Sequence, residues 1–74
     1  MIQELDRIVL ATDLPEYNLK NGDIGTVVLV HQEGVGYEVE FVSLTGKTLA
    51  IASLFNSQVR LISDREIARA RALN

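Results

Sequence analysis

Seventy-four residues make one domain, with no room for a second core. A chain this short buries only about 60% of the surface its unfolded form exposes, and it has no cysteine, so neither a disulfide nor a thiolate metal site can staple it. Hydrophobic residues at 47% exclude a disordered tail, and a net charge of -3 works against phosphate backbones and anionic lipid.

In so small a body, part of the apolar content is expected to meet another chain. The opening MIQELDR carries two acids before any apolar run, unlike a secretion signal. Strictly apolar runs such as residues 27–30 fall far short of a membrane span. The expectation is a cytoplasmic protein without membrane contact.

RIVLAT, residues 7–12, reads as a first strand. DLPEYNLKNGD, residues 13–23, holds the only proline, two asparagines and a glycine, and reads as a long loop. IGTVVLVH, residues 24–31, is valine-rich and reads as a second strand. Where the chain enters this strand, Gly22 suits a positive φ, and Gly25 suits a bulge or a close backbone approach. EGVG, residues 33–36, supplies a hairpin turn. GYEVEFV, residues 36–42, alternates: Tyr37, Val39 and Phe41 face the core, and Glu38 and Glu40 face water.

SLTG, residues 43–46, is the next turn, and KTLAIASLF, residues 47–55, the fourth strand, with Leu49 and Ile51 as its expected core positions. FNSQ, residues 55–58, breaks the pattern as one helical turn, and VRLI, residues 59–62, is a short fifth strand. In SDREIARARALN, Ser63 and Glu66 have capping-box spacing and alanines follow, which predicts a helix over about 64–72. The fold class is mainly β: a five-stranded SH3-like barrel over 1–62 with a short C-terminal α-helix appended over 63–74. Closing the sheet would hide its edges. So short a helix would need to dock on the barrel or on a partner.

Three stretches carry a resemblance: Asp13-Leu14-Pro15, the run from Gly22 to Val28, and Tyr37-Glu38-Val39-Glu40-Phe41. Through them the chain resembles, from about Glu4 to Ser63, a family of short bacterial proteins, domain of unknown function 4926. The resemblance implies an SH3-like barrel and a bacterial setting, and it implies no activity. By analogy, such proteins look like small companions of larger proteins, toxin partners included. The run from Lys20 to Val27 is more loosely similar to the KOW motif of ribosomal and transcription-elongation barrels, which implies RNA binding. Basic residues flank that motif; here Lys20 stands alone beside Asp23 and Glu33.

No residue set rises to a catalytic, cofactor or metal motif. His31 is the only histidine, and His31 with Glu33 lacks the further ligands a metal needs. Glu38 and Glu40 lie about 7 Å apart on one strand face with nothing to desolvate them, so they read as solvated and able to pair with arginines such as Arg60. The loop over 13–23 is the main functional candidate. Leu14, Pro15, Tyr17 and Leu19 there either cap the barrel or form a rim for a partner. Proline-helix recognition needs an aromatic shelf, and only Tyr17 and Tyr37 are on offer, because Phe41 and Phe55 read as core. Arg65 and Arg69, four apart, would share a helix face with Arg71 nearby, a basic stripe expected to meet an acidic partner or a nucleic acid.

The function expected from these residues is a non-enzymatic protein-binding or accessory module, antitoxin-like or immunity-like in its sharpest form. KOW-like RNA binding through the loop and Arg60, Arg65 and Arg69 is the alternative, as is an auxiliary subunit of an enzyme complex. The expected partner is a protein, or a second copy of the chain, rather than nucleic acid, and no membrane contact is expected.

Overall fold

Five antiparallel strands form one sheet in the order β4-β3-β2-β1-β5. They are β1 (Arg7–Leu10), β2 (Ile24–His31), β3 (Gly36–Val42), β4 (Thr48–Phe55) and β5 (Val59–Leu61) in a computed structural model that describes residues 1–73. Two single 3-10 turns interrupt them, at Pro15–Tyr17 and Asn56–Gln58. The second and third strands have the expected bounds, whereas the first, fourth and fifth are each one or two residues shorter.

The core is set by β3. Tyr37, Val39 and Phe41 are buried and pair across the ladder with Leu54, Ala52 and Ala50. Large residues on β3 thus lie beside smaller ones on β4, which fills the layer without overpacking. This pairing corrects the expected phase of the fourth strand. Leu49 and Ile51 point away from the core, Ile51 at 55% exposure, and Phe55 is 68% exposed. Side-chain size alone favoured Leu49 and Ile51 as core. The register instead follows the partner strand, because the bulk of Phe41 and Tyr37 leaves room on their inner face only for the even-numbered residues of β4.

A bulge between Val27 and Leu29 changes the phase of β2. Gly25 and Val27 face inward before it, and Val30 packs on the core after it. Val28 and Leu29 are consequently both exposed. Gly25 is a close-approach position: a Cβ there would stand 2.6 Å from Val39 Cγ1 and 2.9 Å from Phe41 Cε1. Gly22 has φ +100°, a conformation a side chain would strain.

The C-terminal helix expected over 64–72 is absent. After a turn at Asp64 and Arg65, the chain runs without regular structure to residue 73, and Asn74 lies outside the described residues. A helix here would have no apolar stripe to dock, since Ile67 is the lone large apolar residue before Leu73 and is 93% exposed. An isolated helix shorter than about 12 residues is marginal without such packing. Half of the expected capping box survives without its helix: Ser63 N donates to Glu66 Oε1 at 2.9 Å.

Candidate docking surface

The loop between β1 and β2 folds back on itself. Leu14 and Leu19 exchange backbone hydrogen bonds at 2.9 and 3.1 Å, and the Tyr17 and Asn18 N–H groups close the 3-10 turn onto the Leu14 and Pro15 carbonyls. Asn18 takes the left-handed conformation that ends the turn. Asp13 Oδ1 accepts from Asn21 N, Asn21 Nδ2 donates to the Ala11 carbonyl, and Asp23 Oδ2 accepts from Lys20 N. With its polar groups satisfied internally, the loop is an ordered cap.

Of the residues proposed there to meet a partner, Leu14 and Leu19 are buried in the core, Leu14 at 5% exposure. They form the cap, while Pro15 and Tyr17 are exposed. Arg65 and Arg69 are exposed too, but without a helix they share no helical face. Arg60 reaches neither Glu38 nor Glu40. It makes a two-pronged pair with Glu66, Nη1–Oε1 2.8 Å and Nη2–Oε2 2.6 Å. Together with Ser63 N, the Arg60 guanidinium holds the Glu66 carboxyl down at a pKa of about 2.

The outward face of β2, β3 and β4 carries one group of exposed apolar side chains. The ladder places three rows across it: His31, Gly36 and Phe55; Leu29, Glu38 and Ser53; Thr26, Glu40 and Ile51. Val42 and Leu49 extend it at one end, both close to half exposed. A column of two carboxylates thus runs up the face, each with an apolar residue on one side and a hydroxyl residue on the other. Glu38 Oε2 accepts from Ser53 Oγ and from His31 Nε2, each at 2.6 Å, and the two donors lower the Glu38 pKa. Glu40 Oε2 accepts from Thr48 Oγ1 at 2.5 Å.

His31, Glu38 and Ser53 are the residue types of a hydrolytic triad in another order. The carboxylate stands between the other two, so the Ser53 proton is directed at Glu38, whereas a triad seats the imidazole beside the nucleophile. Among the described residues no group of three or more His, Cys, Asp or Glu is placed to hold a metal ion, and no helix is long and apolar enough to cross a membrane.

The C-terminal segment forms one wall of a groove of about 930 Å³ that shares residues with the loop and with this face. Its other wall includes Gly25, Glu40, Val42 and Leu49. Arg71 anchors the segment: Nη2 lies 2.6 Å from Asp23 Oδ2 and 3.1 Å from the Asn18 carbonyl, and Nε lies 2.9 Å from Asp23 Oδ1. The Arg71 guanidinium holds the Asp23 carboxyl below its ordinary pKa. No local spacing in the sequence announces this pair. The outward face of β4 was detectable, had the strand been phased against β3.

The family model described as a domain of unknown function (DUF4926) matches residues 4–61. The chain belongs to this family. The DUF4926 match takes in all five strands and the loop cap and stops short of the segment that carries Arg71. No curated protein and no solved structure matches the chain.

Proposed function

We propose that this DUF4926 protein is a small, non-enzymatic protein-binding module that serves as an accessory to a larger partner. The observation that carries this reading is the outward face of β2–β3–β4, where Leu29, Val42, Leu49, Ile51 and Phe55 are exposed together around Glu38 and Glu40. A monomeric soluble protein seldom shows so many large apolar side chains on one face unless they meet something. The fourth strand adds an uncharged eight-residue sheet edge. Such an edge offers unpaired backbone groups to another chain. The strand order, the long first loop and the 3-10 turn before β5 support an SH3-like barrel as the scaffold.

The test uses outward positions only. Ile51→Lys with Phe55→Ser leaves the core pairing intact and removes the apolar flank. Affinity capture from the native host, followed by crosslink mapping, should recover a partner crosslinked to β3 or β4 with the wild-type chain and lose it with the double variant. Equal recovery of the same partner by both chains defeats the reading.

A further inference from the structure

The C-terminal segment is a poor fit to the groove it lines. Arg71 supplies its one strong anchor, to Asp23 and the Asn18 carbonyl. Ala68, Arg69 and Ala70 line the groove next to Arg71, and about 930 Å³ remains open beside them. Leu73 also lines the groove, with Leu44, Val42 and Leu49 among its walls. A mainly apolar trough with the Asp23 carboxylate in its lining is therefore bordered by an irregular segment that presents two alanines, two arginines and a leucine.

From this arrangement we infer that the groove is a docking site for an extended segment of a partner protein. That segment carries an arginine for Asp23 and large apolar side chains where this chain has Ala68 and Ala70, and residues 66–73 hold the place in cis. The inference rests on the protein-binding reading and deepens it by naming the chemistry of the partner. The occupant is argued from charge complementarity and from the seat of Arg71. Asp23 receives two N–H donors from one guanidinium, a geometry that an arginine meets and a lysine does not. Glu40 adds a second acid to the wall, and Arg7 also lies among the lining residues. A tethered segment competes at high effective concentration, so the apparent affinity of an incoming peptide falls by the fraction of time the groove is open.

The experiment keeps the full chain and compares wild type with R71A. The probe is a fluorescent synthetic peptide of residues 66–73 bearing A68L and A70L, and the control is the same peptide bearing R71E as well. Anisotropy titrations should show the leucine-bearing peptide binding the R71A chain about tenfold tighter than it binds wild type, because the cis competitor has been released. The R71E peptide should bind neither chain. Because the arginine is altered on the peptide, this contrast does not depend on how the protein folds. Equal binding of both peptides, or of the probe to both chains, overturns the inference. So does a wild-type dimer that R71A dissolves, since that result assigns the groove to the segment of a second copy. If capture through Ile51 and Phe55 survives while the peptide fails, the groove inference alone falls.

Discussion

Arg71 and Asp23 stand 48 residues apart in the sequence and meet as a two-pronged ion pair, 2.6 and 2.9 Å between their atoms. The pair joins an otherwise unstructured segment to the loop cap, because the same Asp23 carboxylate also accepts from Lys20 N. One side chain therefore serves both the cap and the tail.

Arg71→Ala should free the tail while the sheet stays folded. An ion pair to a solvent-exposed guanidinium adds little to stability, so the denaturation midpoint should move little. Backbone ¹⁵N relaxation is the sensitive measurement, with residues 66–73 passing from ordered to mobile. Acid should act in the same way. Asp23 titrates below its ordinary 3.8 in the folded chain, so its contribution is complete above that value and is lost as the pH falls through the lowered one. A tail that stays ordered in the variant would show that Arg71 is not the anchor.

The turn at 63–66 should outlast ordinary carboxylate titration. Glu66 is lowered from 4.5 to about 2, first by Arg60 and then by the Ser63 N–H. Its folded pKa is depressed, so the turn is fully supported above 4.5 and released only as the pH falls through about 2. The Ser63 amide shift, followed by NMR, should titrate with a midpoint near the lower value, and Glu66→Gln should abolish that titration.

Gly25→Ala should destabilise the sheet by about 1–3 kcal/mol, the usual effect of overpacking a filled site. The new Cβ would meet Val39 Cγ1, Phe41 Cε1 and the Glu40 carbonyl oxygen at 2.6, 2.9 and 3.1 Å. The backbone oxygen has the least freedom to move aside. Urea denaturation should show a lower midpoint at unchanged slope.

The sheet was legible in the sequence because turn residues punctuate it and β3 alternates from Tyr37 to Phe41. The close approach at Gly25 and the positive φ at Gly22 were legible for the same local reasons. The phase of β4 was not, because Leu49, Ile51 and Phe55 look more core-like than Ala50 and Ala52 until the bulk of β3 is set against them. The tail misled because alanine content and a capping-box spacing describe helix propensity, while a nine-residue helix depends on packing that this segment does not have. The Arg71–Asp23 contact is tertiary, and no periodicity reports it.

Nucleic acid should bind no more tightly than the non-specific range of about 10⁻⁴–10⁻⁶ M at physiological salt. Two of the arginines near the C terminus are engaged by carboxylates, Arg60 by Glu66 and Arg71 by Asp23, which leaves less positive charge for phosphate. Fluorescence anisotropy with mixed RNA oligomers measures this. A sub-micromolar, salt-sensitive curve that weakens in Lys20→Glu would favour the KOW-like alternative.

Leu14 and Tyr17 sit three residues apart in the loop cap and should answer differently to truncation. Leu14 is packed in the core cluster, and its backbone pairs with Leu19 on the other side of the turn. Leu14→Ala removes a buried side chain and should cost about 2–5 kcal/mol, a large share of the stability of so small a domain. Tyr17 is 41% exposed and lies outside the core cluster, so Tyr17→Ala should change stability by about 0.5 kcal/mol or less. Thermal melts of the two single variants separate the roles. If Leu14→Ala melts with wild type, the leucine is no cap, and the loop returns to candidacy as the partner surface. If Leu14→Ala unfolds while Tyr17→Ala stays folded, the loop's part in binding must be tested at Pro15 and Tyr17 alone.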